Sequence, residues 1–227
     1  MTRASGMKRL LAVTGAVMVA VHLGGHVAGL PMLVLSPAGA AVLLVAARKA
    51  GLTWKDLGLA RADLPRGARY AAPWMATAAA VYVGGLAIPA TRGAFLDERY
   101  RGGFLVAALV VVPVSTVLFE EVAFRSVLWG AARELWDERW ATLLSAGLFG
   151  LWHVLPALSM ATSNPVAAKG APAVTVVTTV AVTGVAGYVF CELRRRSGSL
   201  AAPALVHWAI NGLGILAAGV AWRVLGA

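Results

Sequence analysis

The segment LFEEVAFRSVLWG, Leu118 to Gly130, puts Glu120, Glu121 and Arg125 into otherwise greasy surroundings, and FLVAALVVVPVSTVL just upstream carries no charge. Two later segments repeat the pattern with single imidazoles: His153 in FGLWH, and His207 in HWAIN, which also holds Asn211. A carboxylate, two imidazoles and an amide are the parts of a hydrolase. The carboxylate Glu120 takes a proton from water as a general base, and an imidazole beside it helps hold that water. The second imidazole and the amide donate hydrogen bonds to a developing oxyanion. A glutamate with two histidines is equally a zinc ligand set, with metal-bound water as the nucleophile. Glu120, His153 and His207 are therefore also the candidates for a divalent metal such as Zn, and the metal-free route stays open beside it.

Spacing indicates how such groups survive at membrane depth. Each intramembrane charge costs about 2.5–3.5 kcal/mol on insertion scales, so three within six residues total roughly 8–10 kcal/mol before pairing. That sum is comparable to the net stability of a typical fold, about 5–15 kcal/mol. The three residues must then face a bundle interior or a wet cavity, and pair. Glu121 and Arg125 stand at i and i+4 with the acid N-terminal, the better order for an ion pair on a helix. Glu120 is turned by about 100° from Glu121 and is free to face a cavity. Phe149 and His153, and His207 and Asn211, share the same spacing. Three helices thus each offer a polar edge, and convergence of the edges would surround one pocket. As a purely structural ion pair, Glu121 and Arg125 are equally well explained, and a single Asn such as Asn211 is commonly interhelical glue.

The elements that must carry these edges span a membrane. Apolar residues make up 59% of the 227 and charged residues only 13%, against about 45–50% and about 25% in soluble domains. The mean hydropathy is +0.77. Spanning runs recur along the whole chain, which predicts an all-α polytopic bundle of about seven helices in one membrane domain. The spans are read at about Leu10–Leu30, Met32–Ala47, Tyr70–Ala90, from Phe104 through the first motif, Ala141–Leu158, Ala173–Leu193 and Leu200–Leu225. Residues 1–103 supply the N-terminal helices and a hydrophilic linker, and 104–227 the motif-bearing core. A straight helix from 104 to 132 would reach about 43 Å, beyond the ~30 Å hydrocarbon thickness. It must tilt, bend or divide, and Pro113 is the candidate kink. The first span, with no clean cleavage site after it, reads as a retained anchor rather than a signal peptide.

The net charge of +10 would suggest nucleic acid in a soluble protein. Here the basic residues lie in short loops without aromatic interleaving, so nucleic acid is excluded as a partner. With the N-terminus in the cytoplasm, 14 of the 20 basic residues fall on that side: Arg3, Lys8, Arg9, Arg48, Lys49, Lys55, Arg61, Arg66, Arg69, Arg133, Arg139, Arg194, Arg195 and Arg196. Arg92, Arg99, Arg101, Lys169 and Arg223 fall outside. This bias predicts N-in and C-out. Cys191 has no partner for a disulfide and reads as a packed or lipid-facing thiol. Phe149, Trp152 and Trp208 read as packing residues. His22 and His26 form another i, i+4 pair, but no acid accompanies them and flanking glycines point to close packing.

EEVAFR, FGLWH and HWAIN, in this order and each on an apolar span, resemble the three signature motifs of the CPBP family, the CAAX-prenyl-protease and bacteriocin-processing intramembrane proteases, also called the Abi family. The pattern EExxxR is met by Glu120, Glu121 and Arg125, FxxxH by Phe149 and His153, and HxxxN by His207 and Asn211. The likeness covers Phe119 to Gly212. LTWKDLGL, residues 52–59, looks like a juxtamembrane stretch of bacterial members. The resemblance implies an all-α membrane enzyme with its site in a cavity open toward the cytoplasm. It implies that Glu120 and His153 activate a water and that His207 and Asn211 bind the oxyanion. The family is labelled metalloprotease, and a metal-free glutamate mechanism is also argued for it.

The expectation is therefore an intramembrane endopeptidase of a bacterial cell membrane, acting on membrane-associated protein or peptide substrates. The alternative is a non-proteolytic scaffold or immunity-type binder on the same fold. A proton-coupled transporter is a weaker third reading, since the polar residues cluster in one half and no repeat is visible.

Overall fold

The computed structural model describes residues 2–163 and 170–225; Lys169, counted above among the outer basic residues, lies outside them. Eight helices carry the fold: α1 Arg3–His26, α2 Met32–Lys49, α3 Leu64–Ala87, α4 Phe104–Arg133, α5 Glu138–Trp152, α6 Val154–Ser163, α7 Pro172–Ser197 and α8 Ala201–Leu225. There is no strand among the described residues. Helices α5 and α6 are two parts of one span. Six spans have the length and hydropathy to cross a bilayer, and α3, bent by 108° into a short helical continuation over Pro89–Phe95, makes a possible seventh. The chain is an integral membrane protein, and the seven-span reading of the sequence corresponds to these helices.

Local chemistry sets the boundaries. The Asp137 carboxylate accepts the Trp140 backbone N–H at 2.9 Å and starts α5, filling one of the donors a helix N-terminus leaves open. Helix α7 stops at Gly198, whose φ of +68° is left-handed, the conformation that glycine adopts without a Cβ clash.

Helix α4 departs most from expectation. It does not simply kink at Pro113: it winds in wide π-type turns over Ala107–Val117 and again over Glu121–Leu128, with α-helical turns between. Wide turns hold more residues per turn, so the helix is shorter than an α-helix of the same residue count. Such turns are rare and gather at functional sites. The Ser36 hydroxyl donates to the Ser115 carbonyl at 2.5 Å and ties α2 to this stretch.

Helices α5 and α7 touch almost backbone to backbone. A Cβ on Gly150 would lie 2.7 Å from the Val180 carbonyl oxygen, and one on Gly187 3.1 Å from the Ala146 Cα. Small residues are what permit such contact in a membrane, where packing rather than hydrophobic burial drives association.

The loops gather at two ends. At one lie the N-terminus, residues 50–63, residues 134–137 and residues 198–200. Arg3 pairs with Glu134 at 2.8 Å, the Arg194 guanidinium donates to the Asp56 carbonyl at 2.8 Å, and the Leu200 N–H donates to the Gly58 carbonyl at 2.8 Å. The hydrophilic linker thus folds onto the bundle, with Leu52 and Leu57 fully buried. At the other end lie residues 27–31, residues 88–103 and the end of α8, where the Trp222 indole N–H donates to the Asp97 carbonyl at 2.9 Å.

Candidate functional site

The site is built outward from Arg125. Its side chain is fully buried, and its Nη1 donates to Glu121 Oε1 at 3.2 Å. The guanidinium carbon lies 3.8 Å from the Phe149 ring centre and 4.9 Å from that of Phe190. Its Nε and Nη2 have no hydrogen-bond partner among the described residues. The aromatic faces stand in place of acceptors, as a desolvated cation permits. The expected Glu121–Arg125 pair is present, and it is embedded in α5 and α7 rather than facing a cavity.

Glu121 also reaches α8. Its Oε1 lies 2.8 Å from His207 Nδ1. An ionised carboxylate only accepts, so Nδ1 carries the proton and the opposite nitrogen, Nε2, presents its lone pair. That Nε2 is 3.7 Å from Glu120 Oε2. Glu120 Oε1 accepts the Trp152 indole N–H at 2.8 Å, while Oε2 is shut off from solvent without a hydrogen-bond partner among the described residues. Glu120 Oε2 and His207 Nε2 therefore face each other across a 3.7 Å gap.

His153 caps α5 with φ −87° and ψ 5°, and this single residue breaks the fifth span into α5 and α6. Its Nδ1 is 2.8 Å from the Phe149 carbonyl oxygen. A carbonyl only accepts, so Nδ1–H donates and Nε2 is left as the acceptor. Phe149 stands between the two imidazoles, its ring centre 4.7 Å from that of His153 and 5.9 Å from that of His207.

A cavity of about 590 Å³ opens beside these groups, lined by Glu120, Trp152, His153 and Asn211 together with His26 from α1 and Tyr82 from α3. Asn211 makes no hydrogen bond among the described residues, so its amide is available to the cavity. His207 is 3% exposed and sits behind Glu120 rather than on the cavity wall. The three polar edges read from the sequence do meet, but in two layers: Glu120, His153 and Asn211 in front, Glu121, Arg125 and His207 behind. Phe95, Asp97, Arg99 and Tyr100 also line the cavity, which lies in the half of the bundle farther from the N-terminus. On this stretch of wall the Asp97 carboxyl is raised by burial, but hydrogen bonds from Arg99 outweigh that and hold it below the usual carboxylate range.

Sequence reasoning missed Trp152, read as packing and found holding the Glu120 carboxylate. Nothing in the sequence marks it except its place beside His153. It also undervalued His22 and His26. The His22 ring lies 4.1 Å from the Trp152 ring and 4.8 Å from that of His26; the i, i+4 spacing was the available signal. Cys191 is fully buried against Trp129, Ala132 and Ala141, as a packed thiol should be.

His153 and His207 each have Nδ1 tied to an oxygen, the orientation that metal-bound imidazoles commonly use. Yet among the described residues no group of three or more His, Cys, Asp or Glu is placed to hold one ion. As positioned, the residues do not make a metal site.

The chain is a polytopic helical membrane protein in which a carboxylate, an imidazole and an amide border one cavity. Residues 102–213 match the family model described as type II CAAX prenyl endopeptidase, Rce1-like. The match covers the three motifs and supports the CAAX-protease (CPBP) family for this part of the chain. No curated protein and no solved structure matches the chain.

Proposed function

We propose that this protein is an intramembrane endopeptidase that cleaves peptide bonds with a water activated by Glu120 and His153. The observation that carries the reading is the pinned Glu120 carboxylate: Trp152 fixes one oxygen, His207 faces the other, and the side chain still borders the cavity. Glu120 takes a proton from a water that His153 Nε2 helps to hold. The water oxygen adds to the substrate carbonyl, and the Asn211 amide donates to the oxygen that becomes negative. The proton that Glu120 took from the water then passes, beside His207 Nε2, to the departing amine as the carbon–nitrogen bond breaks. Glu121 and Arg125 hold His207 in the tautomer that this transfer needs. His207 thus serves the proton, while Asn211 serves the oxyanion from the cavity wall.

No step runs through a metal, because the residues are not gathered as ligands. The test is purified protein in detergent with a library of membrane peptides. Cleavage survives verified metal removal and is lost in Glu120→Gln. Full cleavage by that variant would overturn the reading, and a retained cellular phenotype in Glu120→Gln would point to a non-enzymatic scaffold.

A further inference from the structure

A second hollow, of about 610 Å³, lies between α3 and α7 and shares no residue with the Glu120 cavity. Helix α3 packs mainly on α8 and only sparsely on α7, and α7 is the least buried of the six spans. The seam between α3 and α7 is thus left open along their outer faces. Its walls change character with depth. Near the linker end stand Arg69, in the second turn of α3, and Glu192 and Arg196, in the last two turns of α7. Trp74 and Tyr188 lie deeper, about 7.5 Å along α3 from Arg69 and about 12 Å along α7 from Arg196. Both rings are exposed, as is Tyr70 beside them. Pro73, Val189 and Leu193 complete an apolar wall.

The charges in this groove do not cancel. Glu192 accepts from Arg195 at 2.6 and 2.7 Å and from Arg196 at 2.5 Å, so its carboxylate is already neutralised. Arg69 makes no hydrogen bond or ion pair among the described residues. Positive charge is left over beside aromatic rings, a pairing that marks the membrane–water interface. Basic pockets between spans at that level suit lipid headgroups. A water-soluble anion would use the arginines and leave the aromatic and apolar part of the groove empty. A zwitterionic headgroup would bring a cation that finds no unpaired carboxylate.

We infer that the groove holds one anionic phospholipid, with its phosphate between Arg69 and Arg196 and its first methylenes along Trp74, Tyr188 and Val189. The lipid fills the seam and braces α3 against α7. The site is independent of the chemistry at Glu120.

The experiment uses the full chain, purified in detergent, delipidated and titrated with lipid under native mass spectrometry. The probes are phosphatidylglycerol, phosphatidylcholine and inorganic phosphate. One phosphatidylglycerol per chain is expected to bind. Arg69→Gln combined with Arg196→Gln should weaken it by about 25-fold, roughly fivefold for each arginine. Arg61→Gln combined with Arg139→Gln removes the same charge from exposed positions elsewhere and should leave the affinity unchanged. Phosphatidylcholine should bind the wild type no better than it binds the Arg69 and Arg196 variant, and millimolar inorganic phosphate should leave phosphatidylglycerol in place. Equal binding of the two lipids, or equal losses in the two paired variants, would overturn the inference. Displacement by inorganic phosphate would overturn the lipid assignment in favour of a free-anion site. Should the Arg69 and Arg196 variant fail to fold, a photoreactive phosphatidylglycerol crosslinked to the wild-type protein in nanodiscs reads the same groove. Adducts at Trp74, Tyr188 or Val189 support the site, and adducts confined to other helices overturn it.

Discussion

Glu120 and Arg125 lie on the same helix, a little over one turn apart, yet they occupy opposite kinds of environment. Around Glu120 the helices splay, and the carboxylate borders a hollow. Around Arg125 they close, and the guanidinium is clamped between Phe149 and Phe190 with no solvent contact. The difference teaches how a membrane protein can keep charge at depth for two purposes. The inner group is neutralised by Glu121 and by aromatic faces, so it acts as a rivet. The outer group borders the hollow while Trp152 holds one of its oxygens. His207 joins the two regions, with one nitrogen on Glu121 and the other facing Glu120.

The largest effect should come from the hollow. Glu120→Gln keeps shape and hydrogen bonding but removes the base, and cleavage should fall by about 10²–10⁴-fold, with thermal unfolding in detergent little changed. Equal losses of activity and stability would mean that Glu120 is a rivet too. Next comes the clamp itself. Arg125→Ala leaves Glu121 buried without its cation and should cost about 3–5 kcal/mol of stability, read as a drop in unfolding temperature. Arg125→Met should cost less on the same assay, since it refills the aromatic cage.

The seam that closes the solid region gives a smaller change. Gly150→Ala forces a methyl toward the Val180 carbonyl and should cost about 1–3 kcal/mol, whereas the exposed Gly93, with open space around it, should tolerate alanine. Trp152→Phe then separates positioning from packing: the ring stays against His22, Phe119 and Phe124, but the donor to Glu120 is lost. Turnover should fall about tenfold with KM nearly unchanged, and an equal rise in KM would argue for a role in substrate binding instead.

The smallest effect is at Asp97 on the cavity wall. Burial raises the folded pKa of Asp97, but hydrogen bonds from Arg99 outweigh it and hold the carboxyl below its ordinary range. Its contribution to stability is therefore fully present above about pH 4 and lost as the pH falls through the lower folded value. Because Arg99 is 45% exposed, the contribution is about 1 kcal/mol or less. Acid titration of unfolding temperature should show this step in the wild type and not in Asp97→Asn.

Much of this was legible in the residues. Long apolar runs divided by basic loops foretold the spans, because in a bilayer backbone groups are satisfied only within helices. Charges too costly to leave unpaired foretold that Glu120, Glu121, Arg125, His153 and His207 would be drawn together. The turns of α4 were not legible: Pro113 suggested a kink, and the wide winding around it depends on neighbours such as Ser36 that a local pattern does not reveal. Trp152 was misread for a similar reason, since an indole on an apolar face looks the same whether its N–H meets a carboxylate or nothing.

By itself, then, the sequence determined that this is an all-helical membrane protein with a costly polar core, and it named the residues of that core, because insertion energy acts on each residue and each helix separately. Only the tertiary structure decided which of those residues border the cavity, which lie sealed behind it, and in which half of the bundle the cavity lies. Those are relations between helices distant in the chain, set by how closely glycines let α5 and α7 approach and by where the linker folds back to fill one end.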